Sequence, residues 1–315
     1  MPRPKRNDDF ILKIARMRYE DRMAQNEIAR ELNLAESTIS RALKDAFDLG
    51  FIEIRVAPHA LRNAELERQI IAKLDLKMAI VIDELPSPAD TLRRLGGAVA
   101  RVIEQRLSAG DVVGVSDGAT LAMVAAEATR GRSTDIDVVS LIGGIGRPEE
   151  ESHSSEVCRT FSAAVGGRAW QLPAPAIVDD AHVANTLKGM STIKPVFDLM
   201  DRLTWAVFGV GAMGTGSSTV VRAGVITGGD IEQAVGVGAV GTICARFYDA
   251  RGIPVPSDLD ARTLAISLDG LRRTRNRIAV ASGLDKIAPL VAARRGDIFN
   301  GIGTDSRTAK ELMAA

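Results

Sequence analysis

Apolar residues recur every three to four positions through the first fifty residues, and their spacing predicts three short helices. Phe10, Ile11, Ile14, Ala15 and Met17 line one face of the first, which runs to Tyr19, with Asp8 or Asp9 placed to cap it. Ile28, Ala29 and Leu32 line a second over Gln25–Leu32, and Asn33-Leu34 makes a tight break because asparagine tolerates the left-handed conformation. A third helix is predicted over Ser37–Leu49, with Ile39, Leu43, Ala46 and Phe47 inward and Gly50 as its stop. Phe51–Val56 then alternates as a strand does and would close a wing beside the helices. Pro58 interrupts, and a charged helix follows over Leu61–Leu74. Its stripe Leu66, Ile70, Leu74 fits a partner chain or the next domain equally well.

After Met78 the pattern changes. Strand-like runs at Ala79–Asp83, Val112–Ser116, Val138–Gly143, Ala206–Val210, Arg277–Ala281 and Ile298–Ile302 alternate with helical segments such as Thr91–Leu107 and Thr120–Ala128. Such alternation predicts a doubly wound, mostly parallel α/β sheet covered on both faces. With 315 residues the chain has room for about two domains. The boundary is placed at Pro58, giving a small helical domain over 1–56 and a larger α/β domain over 57–315.

Composition narrows the class. At 46% hydrophobic and 25% charged the chain is of ordinary globular type, and no apolar run reaches the roughly 20 residues needed to span a bilayer. The basic tip Arg3, Lys5, Arg6 is followed by Asn7-Asp8-Asp9, where a signal peptide would need an apolar core. Cys158 and Cys244 are too few for a disulfide framework and too isolated for a metal knuckle. A cytoplasmic protein with no metal, no cofactor and no membrane partner is expected. Net charge is zero, and residues 1–60 carry 11 Lys/Arg against 10 Asp/Glu. Nucleic-acid binding would therefore rest on placed charges rather than on a high average.

The first helices supply such placement. Two short helices joined by a turn form the helix-turn-helix layout, in which the second enters the major groove N-terminus first. Ser37, Thr38, Ser40, Arg41 and Lys44 lie on that second helix and Gln25 opens the first of the pair. Arg41 suits bidentate guanine contact, Ser37, Thr38 and Lys44 suit phosphates or bases, and Gln25 suits a phosphate at a helix start. Double-stranded operator DNA is the partner this implies; the alternative is a purely structural three-helix module.

Two segments match G-x-G-x-x-G, at Gly209–Gly214 and Gly236–Gly241, and raise the alternative of an NAD-linked sensor or dehydrogenase. Neither sits in the right context. Thr215-Gly216-Ser217-Ser218-Thr219 is a poor helix former, and the second match follows a helix-like Ile231–Val235 and leads into a strand-like Thr242–Phe247. A stronger candidate is the loop Ser116-Asp117-Gly118-Ala119-Thr120, where a strand feeds a helix and free N–H groups meet the helix dipole. Further strands end at Gly143-Gly144, at Gly209-Val210-Gly211, and at Ser282-Gly283 with Lys286 on the following helix. In a doubly wound sheet these loops share one edge, where ligands bind.

Across nearly its whole length the sequence resembles the SorC family of sugar-binding transcriptional regulators. The likeness is carried by Gln25, Ile28-Ala29, Leu32, Ser37, Ser40-Arg41, Leu43, Ala46, Gly50 and Ile52, then by Gly118-x-Thr120, Gly143-Gly144, Leu172-Pro173-Ala174-Pro175 and Gly209-x-Gly211. It continues with Gly238-Ala239-Val240-Gly241, Phe247-x-Asp249-x-x-Gly252, Gly283-x-x-Lys286 and Thr304-Asp305. The resemblance implies a winged helix-turn-helix, an effector domain built like sugar-phosphate isomerases and deaminases, a homodimer or homotetramer, and control of a sugar or polyol operon. The implied effector is a small sugar or polyol, with or without a phosphate. The implied effector-binding set is Ser116, Asp117, Gly118, Ala119, Thr120, Gly143, Gly144, His153, Thr242 and Lys286.

Three positions depart from the family pattern. The family's phosphate loop usually has Gly or Trp-Gly before its Thr, whereas here Asp117 precedes Gly118; Ile142 stands where some relatives carry arginine, and Thr242 where an acidic residue is common. A carboxylate in that loop and a missing cation weigh toward an uncharged effector. The enzyme alternative, a sugar-phosphate isomerase or deaminase, has only Asp117, His153 and Lys286 as acid/base candidates.

Overall fold

The computed structural model describes residues 8–21, 23–52, 62–129, 135–145, 150–214 and 226–315, and its contacts divide the chain into two units, Met1–Ala57 and Pro58–Ala315. The first is built on three helices: α1 (Asp8–Tyr19), α2 (Gln25–Leu32) and α3 (Glu36–Asp48). Ile14, Met17, Ile28, Ala29, Ile39, Ala42 and Leu43 form one buried cluster, with Ile11, Ala15 and Ala46 in a second. Both termini of α2 are explained by single side chains. Glu27 Oε2 accepts the Ala24 amide at 2.7 Å at its start, while Asn33 closes its end at φ 51°, ψ 49°.

Phe47 departs from expectation. It is 53% exposed, because the inward stripe of α3 runs through Ile39, Ala42, Leu43 and Ala46, and one more residue turns 100° away from it. Of the predicted strand only Phe51 and Ile52 fall among the described residues; Glu53–Val56, and with them the wing, lie outside, as does the basic tip at Arg3, Lys5 and Arg6.

The second unit contains a seven-stranded parallel sheet. Its strands are β1 (Met78–Ile82), β2 (Val112–Val115), β3 (Asp137–Ser140), β4 (Arg168–Trp170), β5 (Trp205–Gly209), β9 (Asn276–Val280) and β10 (Gly301–Asp305), in the spatial order β1-β10-β9-β5-β2-β3-β4. A three-stranded antiparallel sheet carries β6 (Gly211–Ala212), β7 (Ala239–Ile243) and β8 (Arg246–Asp249). Ile80 and Ile82 enter one core with Leu95, Val113 and Val115, whereas Ala79 and Val81 enter the other with Phe208 and Ile302. Alternate residues thus bury on opposite faces, as a doubly covered sheet requires. Each fully buried Ile or Leu contributes about 1.5–3 kcal/mol.

Three expectations shift. The last strand begins at Gly301 rather than Ile298, because the Ile298 amide is spent closing the preceding helix on Ala293 O at 2.9 Å. The run Thr242–Phe247 is not one strand but the end of β7, a turn at Cys244-Ala245 and the start of β8. The helix expected over Leu61–Leu74 is α4 (Ala64–Leu74), capped by Asn63 Oδ1, with Leu61 outside the described residues. Its stripe is covered within its own unit, since Leu66 and Ile70 join the sheet core and α4 packs on β1 and on the helix Ser306–Ala314.

Strand order also locates the crevice. From β2 the chain moves to β3 and β4 in one direction; from β5 it moves to β9 and β10 in the other. Neighbours β2 and β5 are therefore the topological switch point, outside whose carboxyl ends α/β sheets bind ligands.

Candidate functional site

The first residue after β2 is tied directly to the end of β5. Ser116, 2% exposed, donates its amide to Val207 O at 3.1 Å and accepts the Gly209 amide on Oγ at 3.2 Å. Gly118 follows at φ 98°, a conformation costly for any residue with a Cβ, and serves as N-cap of helix α6 (Ala119–Ala126). Its amide donates to Ser152 O at 2.9 Å. The N–H groups expected to be free thus begin one residue later: the amides of Ala119, Thr120 and Leu121 have no partner among the described residues. Ala119 is exposed and Thr120 half-buried at the mouth.

Gly143 and Gly144 belong to the wall rather than to a donor set. Gly143 donates to Leu264 O at 2.9 Å and Gly144 to Ala174 O at 2.8 Å. A Cβ on Gly143 would lie 2.6 Å from the carbonyl oxygens of Ala174 and Pro175, so close backbone approach, not anion binding, explains the glycine. His153 is buried as the N-cap of α7 (Ser154–Val165). Its Nδ1 accepts the Ser155 amide at 3.3 Å, which leaves Nε2 toward Gly144, 3.0 Å from where a Cβ there would sit.

Asp117 stands between Ser116 and the N-cap Gly118 in the chain. It is partly exposed, and among the described residues its carboxyl takes a hydrogen bond only from its own backbone amide. Desolvation by burial dominates and pushes its pKa up to about 6. Asp117 also acts on Cys244: burial first, and then the negative Asp117, raises the thiol above its usual range. Cys244 and Ala245 form the buried turn of the β7–β8 hairpin at φ 49° and 58°, the left-handed region that neither side chain favours. Thr242, in the same hairpin, pairs with Gly211 and is 6% exposed, and its Oγ1 has no partner among the described residues.

Lys286 lies on a short 3-10 turn, Leu284–Lys286, that packs against β6. Its Nζ is 2.8 Å from Asp285 Oδ2. The preceding loop is held by Asp305, whose Oδ2 accepts Ser282 Oγ at 2.7 Å and Thr308 Oγ1 at 2.6 Å. Burial opposes charge on Asp305, but those bonds and the Thr308 and Arg307 amides outweigh it and hold its pKa below the usual carboxylate range.

Arg246 was not singled out by sequence reasoning and matters here. It is buried, and its guanidinium is fully used: Nε donates to Ile266 O, Nη2 to Thr263 O and Ala265 O, and Nη1 to Asp260 O and Oδ1. The signal was a lone arginine inside the apolar run Thr242–Tyr248. The first glycine fingerprint leads from β5 into β6 and the second follows the helix Gly228–Gly236 into β7, so neither opens a helix over its described residues as dinucleotide binding requires.

In the N-terminal unit the candidates share one face. Ser37, Ser40, Arg41 and Lys44 are exposed on α3 opposite Ile39, Ala42, Leu43 and Ala46, while Thr38 is half-buried at its edge. Arg41 Nε donates to Ser37 O at 3.1 Å, and Gln25 is exposed as the first residue of α2.

Comparison with known proteins gives these observations a context. Residues 59–314 match the Sugar-bind family model, described as "Putative sugar-binding domain". The chain is 30% identical over 315 residues to the sorbitol operon regulator of Klebsiella pneumoniae, covering 98% of this chain and 99% of that one. It is 26% identical to the erythritol catabolism regulatory protein EryD of Brucella abortus (strain 2308), over 98% of this chain and 97% of the other. The crystal structure of the full-length sorbitol operon regulator SorC from Klebsiella pneumoniae superposes with a TM-score of 0.79 at 26% identity, covering 98% of this chain and 100% of that one. The fold is thus that of a sugar-binding regulator. The chain belongs to the sugar-binding-domain family and, within it, to the SorC family.

Proposed function

We propose that this protein is a transcriptional regulator whose affinity for DNA is set by a small carbohydrate bound at the β2/β5 switch point. Residues 1–56 are the DNA reader, with α3 in the major groove, and residues 57–315 hold the effector and the oligomer contacts of a homodimer or homotetramer in the cytoplasm. Carrying the reading is the switch point itself: Ser116, just after β2, is bonded to Val207 and Gly209 of β5, and the next residue, Asp117, is near enough to act on Cys244 at the β7–β8 turn, all inside the family's sugar-binding region. The relatives named above are regulators of polyol use, and the chain is read as a regulator rather than an enzyme. Ser37, Thr38, Ser40, Arg41, Lys44 and Gln25 are assigned to DNA. Ser116, Asp117, Ala119, Thr120, Thr242 and Lys286 are assigned to the effector, with Gly118, Gly143, Gly144 and His153 shaping the wall.

A ligand shifts such an equilibrium only through unequal affinity for its states. The test is selection of DNA from a random duplex library by the full-length chain, followed by titration of the selected duplex against sugars, polyols and their phosphates. Enrichment of repeated half-sites and a shift in DNA affinity by at least one compound are expected. Recovery of no preferred sequence, or DNA affinity indifferent to every compound, would overturn the reading.

A further inference from the structure

The effector's chemical class can be narrowed from the charges around Asp117, taking the switch-point crevice as the effector site. Asp117 directly precedes the N-cap of α6, so a phosphate received by the unpartnered amides of that helix start would lie close to a second negative charge. No cation neutralises it among the described residues. Arg246, near enough to act on Cys244 beside it, has every N–H committed to carbonyls or to Asp260. Lys286 is already paired with Asp285, and Ile142 offers no charge. The Gly143 and Gly144 amides are used within the protein.

What the crevice does offer suits hydroxyl groups. A carboxylate accepts from vicinal hydroxyls through charge-assisted bonds. The buried Oγ1 of Thr242 has no partner among the described residues and can both donate to and accept from a ligand hydroxyl, and its strand partner Gly211 lies two residues beyond Gly209, whose amide is bound to Ser116. The strained tip Cys244-Ala245 is buried against Asp117 and limits the water that would screen a second negative charge.

We propose that Asp117 is the specificity-determining residue of this site: it takes adjacent hydroxyls of an uncharged sugar or polyol and excludes phosphate esters. The inference rests on the proposed function for the identity of the site, but the exclusion is a property of Asp117 alone.

The experiment is calorimetry with inorganic phosphate at constant ionic strength on the full-length chain, comparing the natural protein with Asp117→Asn and Asp117→Glu. Asn keeps the shape and removes the charge; Glu keeps the charge. Removing a like charge a few ångströms from the anion should tighten phosphate binding about tenfold or more in Asp117→Asn. The natural protein and Asp117→Glu should remain at the weak level. Equal affinity of the natural protein and Asp117→Asn, absence of binding to both, or an equal gain in Asp117→Glu each overturns the assignment. If the phosphate pattern holds while DNA binding ignores every carbohydrate, the functional reading fails and the exclusion by Asp117 stands.

Discussion

Ser116 Oγ accepts the Gly209 amide at 3.2 Å, tying the loop after β2 to the last residue of β5 where the sheet reverses direction. Ser116 is 2% exposed, so Ser116→Ala leaves that amide without its partner. The expected loss is about 1–2 kcal/mol, a fall in Tm of about 2–4 °C per kcal/mol for a unit of this size. Because the same bond anchors the loop that carries Asp117 and Thr120 in the proposed effector site, carbohydrate affinity should weaken as well. Thermal denaturation and calorimetry on one preparation check both, and an unchanged Tm would show that the bond does not fasten this loop to β5.

Arg41 and Lys44 are both exposed on the outer face of α3, but their expected roles differ. Arg41→Ala should cost about 1–3 kcal/mol on the selected duplex and relax preference at one base position. Lys44→Ala should weaken binding across sequences and lower the salt dependence by about one phosphate contact. Anisotropy titrations at several salt concentrations separate the two. Natural affinity and selectivity in Arg41→Ala would mean that α3 is not the helix that reads bases.

The parts of this architecture legible in the sequence are those written in local pattern. Periodicity placed α2 at its observed bounds, Asn33 marked its end, and the alternation of strand and helix after Met78 gave the parallel sheet. The strand Arg168–Trp170 escaped because three residues, two of them exposed and one half-buried, carry too little periodicity. The break at Cys244-Ala245 escaped because neither residue is a usual turn former, and only the buried packing of the hairpin holds them left-handed. The site was legible as a list of loops but not as chemistry. Nothing local told that the Gly143 and Gly144 amides bind Leu264 and Ala174, or that Arg246 is tied to the segment Asp260–Ile266, since both depend on residues far along the chain.

Arg246 should not tolerate lysine. Five N–H groups in a fixed fork reach four carbonyl oxygens and the Asp260 carboxylate, whereas an ammonium has three donors and no planar fork. Arg246→Lys leaves at least two of those acceptors unsatisfied beneath the hairpin, an expected loss of about 2–4 kcal/mol. Urea denaturation measures it. A variant as stable as the natural protein would show that water or a shifted lysine replaces the network, and Arg246 would then regain standing as a ligand-binding cation.

Asp117 ties effector choice to stability through pH. Its pKa is raised from the ordinary 3.8 to about 6, chiefly by desolvation, so the folded chain binds this proton more tightly than the unfolded chain does. Between about pH 4 and 6 the folded state therefore holds the extra proton, and stability contributed by this group falls as pH rises through that window. Above pH 6 the ionised carboxylate carries its full cost. At about 1.4 kcal/mol per pH unit the ceiling is about 3 kcal/mol, reduced to the extent that water reaches the partly exposed side chain. Asp117→Asn keeps the shape and cannot ionise. It should be more stable than the natural protein at pH 7–8, with the difference shrinking toward zero near pH 4. Denaturation midpoints for both proteins across pH 4–8 provide the check. Parallel curves would mean that the carboxylate is solvated as in the unfolded chain, which would remove the electrostatic ground for excluding a phosphate beside it.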